Sequence, residues 1–218
     1  MLQHRKLEYQ TSGIYIGVVK THLLLAKRTK VVSAAYLIAS WLSTLIFLLP
    51  ESNDSDLFTP TFLLSTVVLI AAITTLISAL IYAWKWLRSI HITANEISSG
   101  GVGLSQGWAF WSWIVPVVAF WFPPKIIRNC YNIFQSALPS NKLAELKLGI
   151  WWFLYLVSTW IGNYSFSTSL SNSRSTVTAL DLLSVITLTI AYPFWIRIID
   201  QVTSAQDLAI EARKVENS

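Results

Sequence analysis

Charge is scarce in this chain. Only 12% of its 218 residues are Asp, Glu, Lys or Arg, against roughly 25% in soluble domains. Hydrophobic residues make up 54% of the chain, and the mean hydropathy is +0.53. Together these exclude an ordinary soluble globule and place the chain among integral membrane proteins. Cysteine is scarcer still. A single one, Cys130, excludes an internal disulfide and a thiolate metal cluster. A signal-peptide core is also missing, since "GIYIGVV" is too short and basic residues follow it. The first true span is therefore expected to serve as both insertion signal and anchor. The net charge of +5 is not read as a nucleic-acid surface. In so apolar a chain, basic residues are expected to line the cytoplasmic side and set orientation.

What is present is a series of long apolar runs. Residues 1–30 are polar and basic, and within them 17–28 suits either a membrane-surface helix or a soluble lead-in helix. Spans are expected at about 31–49, 61–84, 148–164 and 182–196, because about 20 residues of helix cross the hydrocarbon core. The second helix is expected to run on into "KWLRSIHITANEISS", up to the glycines of "GGVGLSQG". Those glycines lack the spacing and the preceding strand of a phosphate-binding loop. After the Trp- and Pro-rich run 107–124, "PKIIRNCYNIFQSAL" predicts a helix with Pro124 near its first position, where a missing N–H costs nothing. Ile126, Ile127, Cys130, Ile133, Phe134 and Leu138 fall mostly on one face. Residues 201–218 read as a charged, helical cytoplasmic tail, so the membrane domain covers 31–200.

The run "GWAFWSWIVPVVAFWFPP" decides the topology. If it crosses, the chain has five spans, and nine Lys and Arg fall inside against seven outside. If it re-enters or lies at the interface, fifteen fall inside and only Arg174 outside. The positive-inside rule favours the second arrangement. Pro116 removes a mid-segment hydrogen bond, and Trp prefers the headgroup level. The expected fold is an all-α polytopic helix bundle: four spans, a re-entrant or interfacial segment, both termini cytoplasmic. A fifth span is the alternative.

Gly107, Trp108, Ala109, Trp113, Pro116 and Pro123 together resemble the G-W-A-x-x-x-W-x-x-P-x-x-x-x-x-x-P core of the domain-of-unknown-function 4328 family of bacterial membrane proteins. Arg128, the pair Trp151–Trp152, Ser165 and Gln206 match its flanks. The resemblance covers roughly residues 31–210. Ala119 and Phe122 depart from it, standing where the family often has Asn and a basic residue. What it implies is a helical protein of the bacterial inner membrane, with no established activity.

Few residues could carry chemistry. The expected spans contain no Asp, Glu, Lys, Arg or His, the groups that intramembrane catalysis or proton relay requires. His91 and Glu96 follow the second span, and His91 shares a helix face with Asn95 four residues on. A metal would need two or three further ligands, and His4 and His22 are distant in sequence, so no metal and no cofactor is expected. Cys130 reads as packing. Asp181 reads as a helix N-cap, where its charge meets the dipole favourably, ahead of a proton-relay role. Small residues recur at Ala71, Thr75, Ala79 and Ala83, and at Ala35, Ala39 and Ser43. They let helices approach closely. The function these features suggest is a non-enzymatic interaction or accessory protein, whose partners are the bilayer and either anionic headgroups or another membrane protein. A small oligomeric transporter or pore subunit is the alternative.

Overall fold

A computed structural model describes residues 2–47, 60–98, 100–103, 107, 121–138, 143–171 and 179–216. For residues 2–20, 47, 61, 169–171 and 216 it describes the backbone alone. Its elements are all helices: α1 (Leu2–Phe47), α2 (Pro60–Ile97), α3 (Phe122–Ser136), α4 (Leu148–Ser171) and α5 (Ala179–Glu216). No strand occurs among the described residues. The expected all-helical class therefore holds. The lead-in region 17–28 is part of α1, which runs unbroken from Leu2.

Among the described residues, three helical stretches are long and apolar enough to cross a membrane: Thr21–Ile46, Phe62–Ile97 and Ala179–Val215. They contain the expected spans at 182–196 and, but for a few terminal residues, at 31–49 and 61–84. The expected span at 148–164 lies in α4, whose 24 residues are enough to cross. It is not among the three because Trp, Tyr, Ser and Asn dilute its hydropathy. Pro60 opens α2, and two prolines stand in the first turn of α3, where the absent N–H has no helical partner to lose. Pro193 sits inside α5 without ending it.

The chain divides into two compact units. One, here the apolar unit, comprises residues 30–81 and 147–198. Its described residues 31–46 and 60–81 carry no charged side chain. Many of its apolar side chains point outward, with Phe62, Val67, Ile70, Ile73 and Ile77 all exposed. Several contacts within it involve α5. Trp41 donates to Thr189 Oγ1 at 2.9 Å. Trp195 donates to Ser33 Oγ at 3.2 Å and stacks on Trp151, centroids 4.6 Å apart. Ser158 and Ser184 each donate to the other's carbonyl, both at 2.9 Å. A Cβ on Gly162 would lie 3.1 Å from Ser184 Oγ, so glycine permits the close approach of α4 and α5.

The second, the polar-cored unit, comprises residues 1–29, 82–146 and 199–218. Here the burial runs the usual way round. Trp86, Leu87, Ile90, His91 and Ala94 are buried along α2, and Ile199, Val202, Gln206 and Ala209 along α5. Both series recur with a period of three to four residues, one face of a helix. α3 buries Ile126, Ile127, Cys130 and Phe134, four of the six residues expected on its apolar face. Each large apolar side chain fully withdrawn from water contributes about 1.5–3 kcal/mol.

Candidate functional site

Among the described residues, the core of the polar-cored unit holds six buried polar side chains: His22, Thr29, His91, Thr93, Thr203 and Gln206. A buried polar group is costly unless it is hydrogen-bonded, and these are nearly all committed. His22 Nε2–H donates to Asp207 Oδ1, joining α1 to α5. Thr29 Oγ1 donates to the Tyr82 carbonyl at 3.1 Å. Trp86 Nε1 donates to Thr203 Oγ1 at 3.2 Å. Gln206 Nε2 donates to Thr93 Oγ1 at 2.7 Å, and that hydroxyl donates onward to the Ser89 carbonyl at 3.2 Å. Gln206 Oε1 is buried and has no partner among the described residues. An acceptor left so costs about 1–3 kcal/mol.

A second chain of contacts surrounds His91. Asn95 Nδ2 donates to His91 Nδ1 at 2.9 Å, an arrangement that places the ring proton on Nε2. Asn95 Oδ1 accepts the Val102 backbone N–H at 2.9 Å. Asn129, on α3, donates to the Val102 carbonyl at 3.4 Å. Gly101 makes the turn between α2 and Val102 with φ +66. A Cβ there would lie 3.0 Å from Asn95 Oδ1, so both the backbone and the space call for glycine. Val102 precedes the Trp- and Pro-rich run and Asn129 follows it, so this bond ties the two flanks of the run together. Arg213 adds a bond from α5 to the Glu96 carbonyl.

A family model described as a domain of unknown function, DUF4328, matches residues 52–201. The chain belongs to the DUF4328 family. No curated protein and no solved structure matches it. Of the residues that carry the resemblance, Trp108, Ala109, Trp113 and Pro116 lie outside the described residues, as does Ala119. Gly107 is exposed, and Pro123 is buried in the first turn of α3. Of the flanking matches, Trp151 and Trp152 are buried, and Ser165 and Gln206 are fully so. Arg128 is exposed.

The remaining candidates are dispersed. His91 is buried, while Glu96 offers its carbonyl to Arg213. Asp181 stands inside the first turn of α5, which begins at Ala179, so it is not the N-cap expected of it, though a carboxylate there still favours the helix dipole. Burial pushes the Cys130 thiol up to about 12, so it is no thiolate nucleophile at neutral pH. Burial likewise raises the Tyr131 phenol. The His22–Asp207 and Thr93–Gln206 pairs escape sequence reasoning because their partners lie more than a hundred residues apart. Only the family resemblance pointed to Gln206.

Proposed function

We propose that this DUF4328 protein is a non-enzymatic, membrane-embedded interaction protein of the bacterial inner membrane. Its polar-cored unit stands at the cytoplasmic headgroups, and its apolar unit stands in the lipid. The carrying observation is the segregation of charge. Lys27, Arg28, Lys85, Arg88, Lys125, Arg128, Arg213 and Lys214 all belong to the polar-cored unit. The described charges of the apolar unit are instead Lys30, Lys147 and Arg197, at or next to the ends of its segments, and Asp181 in the first turn of α5. Its residues 31–46, 60–81, 148–171 and 182–196 carry none. Basic residues near the surface attract anionic lipid at about 1 kcal/mol each. Its ionisable core groups support a scaffold rather than a catalyst, since His22 and His91 are committed to side-chain partners.

The Asn129–Val102 bond supports re-entry of the run 107–124. A straight helix of that length would carry its ends about 27 Å apart, whereas Val102 and Asn129, five residues outside each end, meet at 3.4 Å. Cysteine accessibility tests the topology. Single cysteines are placed at Ser140, Ser171 and Ser218 in a Cys130→Ser background, and intact cells are treated with an impermeant maleimide. Labelling is expected at Ser171 alone. Labelling at Ser140 or Ser218 would refute the reading.

A further inference from the structure

α3 turns Arg128, Asn132 and Gln135 to one wall of a cleft of about 410 Å³, within the size range of small-ligand sites. Their spacing of four and three puts them on one helix face. The stretch Leu143–Leu146 makes the other wall. The Tyr131 hydroxyl donates to the Ala144 carbonyl at 2.6 Å, which fixes that stretch against the helix.

Two opposite charges line this cleft, Arg128 on one wall and Glu145 on the other. Both side chains are exposed. Among the described residues neither forms an ion pair or a hydrogen bond, with the other or with a third group. The fold thus holds a cation and an anion beside one space without letting them neutralise each other. A simple anion entering the cleft meets Glu145, and a simple cation meets Arg128. A ligand carrying both signs satisfies both. The planar guanidinium matches phosphate oxygens in a bidentate fork, and Asn132, one turn further on, adds an amide donor. Glu145 matches a primary ammonium. Leu143 and Leu146 give the intervening carbons an apolar wall.

We propose that this cleft binds a phosphoethanolamine group, with its phosphate on Arg128 and Asn132 and its ammonium on Glu145. An aminophospholipid headgroup and free phosphoethanolamine share this chemistry. The lipid source rests on the reading of the polar-cored unit as headgroup-facing. The cleft itself does not.

The test uses the full-length protein in detergent micelles, titrated calorimetrically with soluble phosphoethanolamine. Saturable binding is expected, at least tenfold tighter than that of inorganic phosphate or ethanolamine alone. Arg128→Gln and Glu145→Gln should each weaken it at least tenfold while leaving the circular dichroism spectrum unchanged, because both side chains are exposed. Inorganic phosphate binding as tightly as phosphoethanolamine, or unchanged affinity in Glu145→Gln, would overturn the proposal, as would no saturable binding. Short-chain phosphatidylethanolamine is then added as competitor, with phosphatidylglycerol as control. Displacement by the first alone supports a bilayer source, and no displacement by either supports a free solute. Labelling at Ser140 reads sidedness separately, so the topology and the cleft can fail independently.

Discussion

The same three long helices serve two units built on opposite principles. α2 contributes Pro60–Ile81 to the apolar unit, where Ile73 is 49% exposed, and Tyr82–Ile97 to the polar-cored unit, where Leu87 and Ile90 are 0% exposed. Leucine and isoleucine thus point outward in one stretch and inward in the next. Apolar residues gather inside only where the outside is water. In lipid there is no such drive, and helices are joined instead by small residues and hydrogen bonds. The apolar unit accordingly uses the Ser158–Ser184 exchange and Gly162, whereas the polar-cored unit uses a packed interior.

This contrast is open to direct attack. The largest effect is expected from Leu87→Ala, which leaves a cavity in the polar-cored unit and costs about 2–5 kcal/mol. Ile73→Ala, an equally drastic truncation on the outward face, should cost under about 0.5 kcal/mol. Denaturation midpoints in detergent compare the two, and equal losses would dissolve the distinction. Next comes the Thr93–Gln206 pair. Both Thr93→Val and Gln206→Met break this bond, but Thr93→Val strands the buried Gln206 amide and should cost about 1–3 kcal/mol. Gln206→Met removes that amide together with its unpartnered oxygen, leaves the Thr93 hydroxyl its bond to the Ser89 carbonyl, and should cost less. The reverse order would show that a stranded amide is not what destabilises Thr93→Val. In the apolar unit, Gly162→Val forces α4 from Ser184 and should cost about 1–3 kcal/mol, read as a lower thermal midpoint in nanodiscs. The smallest effect concerns Cys130. Its pKa is raised, so the neutral thiol persists in the folded protein, and maleimide labelling should stay negligible from pH 7 to pH 9. Stability drawn from the neutral thiol is complete below the unfolded value of about 8.5. It is lost only as pH rises toward about 12. Labelling that climbs with pH in this range would show Cys130 to be exposed.

Much of the architecture is legible in the residues. Runs of uncharged residues mark α1, α2 and α5, and paired prolines mark the start of α3. The continuation of α2 past Lys85 follows from the absence of Gly and Pro before Gly100. The likeness of α4 to its neighbours is harder to grade by hydropathy, because Trp and Tyr score as polar although their rings pack as apolar bodies. The local pairing of His91 with Asn95 could be anticipated from their spacing. The long-range pairs could not. Nothing near His22 announces Asp207, since the partner is fixed by which helix faces meet. The cleft of Arg128 and Glu145 is invisible for the same reason, as its walls come from a helix and from a stretch without regular structure.

The bond between Asn129 and Val102 has a consequence for how the signature run can vary. It closes the chain on itself around that run, so the entropy of bringing the ends together is already borne by α2, α3 and the Gly101 turn. Closure cost rises only with the logarithm of length, about 0.6 kcal/mol for each doubling. Inserting several residues between Gly107 and Trp121 would therefore add little from closure itself. Any enforcement of the spacing of Gly107, Trp108, Trp113, Pro116 and Pro123 must come from something other than this tether. An insertion series across the run, read as thermal stability, would measure that enforcement separately from the tether.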